Sequence, residues 1–425
     1  MSNLNQPQVV TFGCRLNTYE SQVIKDLAIQ AGLDNTLIIN TCAVTTEAER
    51  QARQTIRKLK RQNPDLKIIV TGCASQINPS QFANMSEVDR VIGNEEKMKL
   101  SSYIHSDVHE RVLVNDIMSI RETAGHLVSG FEGRARAFVQ VQNGCDHRCT
   151  FCTIPYGRGN SRSVAIGEIV TQVRHLITAG YQEIVFTGVD ITAYGSDLPG
   201  QPTLGQMIKR VLTLVPELNR LRLSSLDPVE IDDDLWRLIA EESRLLPHLH
   251  VSLQNGDNLI LKRMKRRHLR EDAINFCKRV RQLRPEIAFG ADLIAGFPTE
   301  TDDMFINTLN IVDECGLTFL HVFPYSSRPN TPASRMPQVP TSLIKERAAQ
   351  LRAKGDEALQ KFFQQWHQRD VHFLIESTDN NTLIGKTDQF APISIAQPLS
   401  FPVGSIMNAR VISSTGDTLL GEIKV

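Results

Sequence analysis

The feature that most limits how this chain can fold is a cysteine placed almost at once after each of three short apolar, β-branched segments. Residues 9–12, 36–40 and 67–71 read as strands. Cys14, Cys42 and Cys73 follow them, 28 and 31 residues apart, which is about one βαβ unit each. Helical periodicity over 20–31 and 47–61 fills the gaps. The alternation predicts a small parallel sheet with helices on both faces, its strand ends converging on one edge. Three thiols distant in sequence then meet there, where helix N-termini favour their anionic forms. One buried cysteine after a strand would be ordinary packing. Three at matching positions point to a metal centre.

A second trio lies in Asn143-Gly-Cys-Asp-His-Arg-Cys-Thr-Phe-Cys-Thr-Ile-Pro155, where Cys145, Cys149 and Cys152 are spaced C-x3-C-x2-C. A closed zinc site wants four ligands, and its C-x2-C pairs usually come twice. No fourth cysteine is near, and His147 sits inside the spacer, where ligation strains the loop. Three thiolates on a 4Fe–4S cluster leave one iron without a protein ligand and open to something else. The remaining two, Cys277 and Cys315, fall in helical patterns and read as core residues.

The second trio opens another run of alternation. Candidate strands are 137–142, 183–187, 220–224, 249–253, 287–294 and 319–323, separated by amphipathic helices. Six such units suffice for a partial (β/α) barrel, with the cysteine loop at the carboxyl face where barrel sites form. Thr187-Gly-Val-Asp190, Ser224 and Ser225, Gln254-Asn-Gly256, Asp292, Gly296-Phe-Pro298 and Tyr325-Ser326 end the other strands. Turn chemistry alone accounts for such residues about as well as function does. His248, His250 and His321 read as packed or hydrogen-bonded rather than as ligands.

Charge excludes a globally basic binder: Lys+Arg and Asp+Glu both count 47, so any nucleic-acid contact needs local patches. Two exist, Arg50, Arg53, Arg57, Lys58, Lys60 and Arg61 on one helix, and the run from Lys262 to Arg270. Each suits phosphate contact or a solvated helix face equally well. Arg158 and Arg162 add charge beside the cysteine loop. Five prolines between 324 and 340 interrupt the chain before a charged helix over 342–368. Short β-rich segments at 371–376, 382–386, 392–395, 407–412 and 419–425 then suggest a small OB-like barrel. That tail has three basic against five acidic residues, so contact with RNA there needs aromatics, hydrogen bonds or shape. The N-terminus has no signal pattern and no apolar run is long enough to span a membrane, so a cytoplasmic protein with reduced thiols is expected.

Taken together, these segments resemble a known family. The C-x3-C-x2-C loop with Phe151 is similar to that of radical S-adenosylmethionine (SAM) enzymes. Its combination with Thr11-Phe-Gly-Cys-Arg-Leu-Asn17, Asn40-Thr-Cys-Ala-Val44, Thr71-Gly-Cys73, Ile92-Gly-Asn-Glu-Glu-Lys97, His250-Val-Ser-Leu-Gln-Asn-Gly256 and Phe323-Pro-Tyr-Ser326 resembles the methylthiotransferases. Within them Gly13-Cys-Arg-Leu-Asn17 and Tyr19-Glu-Ser21 look most like the branch acting on N6-threonylcarbamoyladenosine at tRNA position 37. Alternatives are the branches acting on isopentenyladenosine or on a ribosomal-protein aspartate and, from a different class, a non-catalytic iron–sulfur RNA-binding protein. Asn255 departs from the family's usual Ser.

The resemblance implies an α/β chain with a flavodoxin-like domain (7–125), a partial (β/α)6 radical SAM domain (131–365) and a TRAM-like barrel (366–425). It implies two 4Fe–4S clusters, one on Cys14, Cys42 and Cys73 that holds the sulfur to be inserted. The other, on Cys145, Cys149 and Cys152, binds SAM at its open iron, and SAM cleavage there releases a 5′-deoxyadenosyl radical. A radical is needed because the adenine C2–H is too weakly acidic for an ordinary base. Thr187, Gly188, Val189, Asp190, Ser225 and Asp292 are the implied SAM contacts. The implied partners are the tRNA anticodon loop, an electron donor and a sulfur donor, with no membrane.

Overall fold

The computed structural model describes residues 6–104, 110–121, 126–128, 130–131, 133–379, 381–396 and 401–424. Its first sheet is wholly parallel: β1 (Gln8–Thr11), β2 (Thr36–Thr41), β3 (Lys67–Gly72), β4 (Arg90–Ile92) and β5 (Val112–Leu113). Every residue of β2 is buried, as a central strand covered on both faces requires. Helix α1 (Arg15–Gln30) covers one face through Ile24 and Ala28 against Ile38 and Ile69. On the other face Leu37, Ile39, Ile68 and Val70 pack with Ile56 of α2 (Thr46–Gln62) and with Phe82. The α/β class is as expected. The strands lie side by side in chain order, without the reversal of a flavodoxin-like order. The expected boundary at residue 125 falls outside the described residues, as does Val425 at the end of the last expected strand.

α1 starts at Arg15, five residues before its expected start, because Leu16, Tyr19 and Val23 are buried in a second core. That core belongs to six further strands: β6 (Ala137–Gln140), β7 (Glu183–Thr187), β8 (Arg220–Leu223), β9 (His248–Gln254), β10 (Ala288–Ala295) and β11 (Leu317–Pro324). They pair in parallel in two three-stranded sheets, joined by bridges at Leu221–Leu245 and Leu226–Val251. The chain thus forms a partial barrel, open between β6 and β11. A short helix α3 (Cys73–Ile77) follows β3, and α4 (Ile154–Arg158) follows the second cysteine loop. Cys277 and Cys315 are buried in the barrel core, as expected.

The last strands, β12 (Asp370–Asp379), β13 (Thr382–Thr387), β14 (Pro392–Ala396), β15 (Ile406–Ser414) and β16 (Leu419–Ile423), close into a barrel. It docks through Phe362, Phe363 and Phe319 and through a buried ion cluster. Glu183 of β7 receives Arg136, Arg220 and Arg222 at 2.7, 2.9 and 2.7 Å. Arg136 and Arg220 reach on to Glu376 and Asp388, and Arg222 donates to the carbonyls of Thr387 and Asp388, each at 2.8 Å. Burial opposes the charged Glu183 carboxylate, yet Arg222, Arg136 and Arg220 hold it well below the ordinary range. Glu183→Gln leaves three guanidiniums facing one another. It is expected to cost about 3–5 kcal/mol in urea unfolding and to free the tail to proteolysis. Because the folded-state pKa is depressed, this stabilisation is full above roughly pH 4.3 and fades as pH falls further. The variant should lack that acid-dependent component.

Candidate functional site: two thiol trios across one interface

Cys14 immediately precedes α1, Cys42 follows β2 and Cys73 opens α3, so all three lie at the carboxyl edge of the first sheet. Gly13 has φ +107°, and a Cβ there would come within 3.0 Å of Cys42 Sγ, so only glycine lets the chain pass this close. Asn17 ties the edge together: its amide donates to the carbonyls of Phe12 (2.6 Å) and Thr41 (3.1 Å), and the Cys14 thiol lies 3.8 Å from its Oδ1. Asn94 reaches Cys73 Sγ at 3.8 Å. Cys42 and Cys73 are buried and Cys14 is exposed.

The second trio lies on the barrel's carboxyl face, after β6. Gln142 fixes this loop. Its Oε1 accepts the backbone N–H groups of Val189 (3.0 Å) and Asp190 (2.8 Å), and its Nε2 donates to Gly144 O (2.8 Å) and Ser161 Oγ (2.9 Å). One side chain therefore joins the cysteine loop to residues 187–190. His147 Nε2 is 2.8 Å from Asp190 Oδ2, which in turn lies 3.9 Å from Cys145 Sγ. Arg266 sits behind the loop, 4.0 Å from Cys149 Sγ and paired with Asp227 at 3.0 Å.

The two trios face each other. A Cβ on Gly157 would stand 3.2 Å from Cys73 Cβ, Thr153 Oγ1 lies 3.4 Å from Ala43 O, and Asn94 donates to Gly157 O. Arg158 crosses the seam fully buried. It donates to both Glu20 oxygens (2.8 and 2.9 Å) and to Asn17 Oδ1 (2.5 Å), while Lys97 binds Glu20 at 2.7 Å. Burial pushes the Glu20 carboxyl up, but Arg158 and Lys97 outweigh it and hold it at about 2.

All eight cysteines are free thiols. Burial, reinforced by Cys73, pushes the Cys42 thiol up to about 12, and burial with Cys149 does the same for Cys152. Cys145 is also raised, by burial and by Asp190. Thiols in such surroundings ionise when a metal cation replaces the proton. Each trio offers three soft sulfur ligands, the donor set that suits an iron–sulfur cluster.

Of the expected SAM contacts, residues 187–190 and half-buried Ser225 end β7 and β8 on the face that carries the cysteines. Asp292 lies within β10, paired with His250 (3.0 Å) and His321 (3.2 Å). Burial raises this carboxyl, but the two histidines hold it well below its ordinary value. His248 is packed, stacked on Phe390 with ring centroids 5.0 Å apart. The basic runs are less free than their sequence suggests. Arg50 pairs with Glu47 (2.6 Å), Arg57 with Glu87 (3.9 Å) and Lys60 with Asp89 (3.6 Å). Arg266 turns inward to Asp227 and the Ser252 carbonyl at 3.0 and 2.6 Å, and Arg270 holds the carbonyls of Gly256 and Asn307 at 2.7 and 2.6 Å. Asn255 is buried and hydrogen-bonded to Glu300 at 3.1 Å. Gln142 carries no sequence signal that marks it out. No helix among the described residues is long and apolar enough to cross a membrane.

Residues 139–312 match the Radical SAM superfamily, and residues 6–93 match the uncharacterized protein family UPF0004. Threonylcarbamoyladenosine tRNA methylthiotransferase MtaB of Rickettsia prowazekii is 58% identical over 97% of this chain and 96% of its own length. The protein of that name from Bacillus subtilis is 32% identical over 95% and 93%. A tRNA-2-methylthio-N(6)-dimethylallyladenosine synthase of Shouchella clausii is 30% identical over 97% and 82%. Among solved structures, the radical SAM methyltransferase TsrM from Kitasatospora setae, bound to cobalamin and a [4Fe-4S] cluster, superposes with a TM-score of 0.56. Its identity is 14%, over 78% of this chain and 77% of its own, a likeness of fold.

Reconstituted anaerobically, the protein is expected to bind about eight iron atoms per chain, the content of two 4Fe–4S clusters. Cys145→Ala or Cys73→Ala should each drop that to about four, and a single tight zinc instead of iron would refute the assignment. Gln142→Ala removes the partner of two N–H groups and two carbonyls, so it should cost about 1–3 kcal/mol and speed hydrogen exchange at the Val189 and Asp190 amides.

Proposed function

The chain belongs to the threonylcarbamoyladenosine tRNA methylthiotransferase family, and from that membership we infer how its two thiol trios divide the work. The reaction converts N6-threonylcarbamoyladenosine in tRNA to its 2-methylthio derivative, using SAM and two 4Fe–4S clusters. We assign Cys145, Cys149 and Cys152 to the cluster that engages SAM, and Cys14, Cys42 and Cys73 to the one that carries the sulfur. In this reading residues 7–125 present the sulfur, 131–365 generate the radical, and 366–425 help to hold the anticodon loop with adenosine 37. When bound, the groups supply a 5′-deoxyadenosyl radical to activate C2, a sulfur to insert, and a methyl to cap it.

The observation that supports the assignment is the close approach to Cys73 of Gly157, five residues past Cys152, with Asn94 bridging the two segments. A carbon radical formed at C2 must meet its sulfur before anything else quenches it, so the two centres have to be held near each other in advance. The chain does this with buried polar groups. Arg158, clamped by Glu20 and Asn17, fixes the angle between first sheet and barrel. Gln142 holds 189–190 against the cysteine loop, and in this reading Thr187, Gly188, Val189 and Asp190 line the SAM side. Ser225 and Asp292 complete that side in the same reading, and the His147–Asp190 pair braces the loop near Cys145.

The test is mass spectrometry of tRNA nucleosides from a deletion strain. The 2-methylthio derivative should vanish and N6-threonylcarbamoyladenosine accumulate, with rescue by the intact gene and none by Cys73→Ala. Persistence of the derivative in a strain with no second methylthiotransferase would refute the substrate.

A further inference from the structure

Arg15 is the first residue of α1 and follows Cys14 directly. Its guanidinium points away from the first sheet into the barrel, where its carbon stands 5.5 Å from the centre of the Phe390 ring. Its electrostatic neighbours are Arg136, Glu183, Asp292 and Cys14. Both acids are already engaged, Glu183 by three arginines and Asp292 by His250 and His321. Arg15 itself has no hydrogen bond or ion pair among the described residues. Arg136, Arg222 and Lys386 crowd the same ring at 5.4, 5.0 and 5.1 Å. The result is a half-buried cation with five unused N–H donors, facing an interior already rich in positive charge. Such a group calls for an anion from outside the chain.

The position says which anion. Arg15 is one residue from a proposed ligand of the sulfur-bearing cluster, so what lies within its reach is the base being modified and that base's own substituent. The threonylcarbamoyl group ends in a carboxylate, whereas the dimethylallyl group handled by the 30% identical relative is apolar. We propose that Arg15 binds the carboxylate of the threonylcarbamoyl group and so selects this nucleoside over those whose N6 substituent is neutral. Selection works in both directions, because a neutral substituent leaves the guanidinium desolvated and unpaired. The inference rests on the function proposed above.

The test uses the cluster-loaded full chain and three anticodon stem-loops. One carries N6-threonylcarbamoyladenosine at position 37, one its carboxyl methylamide, and one N6-dimethylallyladenosine. Binding is read by fluorescence anisotropy and product by mass spectrometry. The intact protein should bind the carboxylate RNA roughly tenfold to a hundredfold more tightly than the methylamide, the effect of one charge-assisted contact. Arg15→Gln should bind the two within about threefold of each other, and Arg15→Lys should keep part of the preference. Three outcomes overturn the proposal: undiminished preference in Arg15→Gln at full iron content, an equal loss for all three RNAs, which assigns Arg15 to a phosphate, or a loss of SAM affinity alone, which assigns it to the carboxylate of SAM. If the intact protein instead methylthiolates only the dimethylallyl RNA, the proposed substrate falls, and this inference with it.

Discussion

Arg158 donates to both oxygens of Glu20 and to Asn17 across the seam, and Lys97 closes the other side of the same carboxylate. A group of two buried cations and one buried anion is tolerable only when every member is satisfied, because each charge has left water. That demand fixes the relative position of the first sheet and the barrel more sharply than apolar packing alone. Leu16, Tyr19 and Val23 supply the adhesion, and Arg158 supplies the register. Cys14 and Cys73 both lie near this guanidinium, so the interaction that joins the two units also sets one thiol trio against the other.

A second buried cluster does comparable work at the amino-terminal ends of the barrel strands β6–β8. Glu183 gathers three arginines, and two of them continue to acids of the tail. Phe390, in a left-handed backbone conformation (φ 70°), projects from the tail into this ring of cations and stacks on His248. The acidic character of the tail is then intelligible. Glu376 and Asp388 meet barrel arginines, so those acids serve docking.

Much of this was legible beforehand. The β1–β3 cysteines, the C-x3-C-x2-C loop, six barrel strands and a closed five-stranded tail all follow from local patterning, because strand period, turn residues and cysteine spacing act over short stretches. Strands β4 and β5, of three and two residues, are too short to show a period in the sequence. Arg158 and Arg266 look, in sequence, like part of basic surface runs. Their burial depends on Glu20 and Asp227, which lie 138 and 39 positions away. Gln142 is equally silent, since its importance lies in hydrogen bonds to Ser161, Val189 and Asp190, 19 to 48 positions away.

The sequence by itself determined the chemistry: two sets of three thiols, each short of a fourth ligand, on two parallel sheets with a small barrel behind them. Spacing suffices for this, because a loop's ligands and a strand's end are local properties. Only the tertiary structure decided that Cys73 lies against the segment that follows the second trio, that the basic runs are half engaged within the protein, and that Arg15, over the Phe390 ring, has no hydrogen bond or ion pair among the described residues. Those are matters of which charge ends up beside which. Burial settles them, by making every charge removed from water find its opposite or wait for a ligand that brings one.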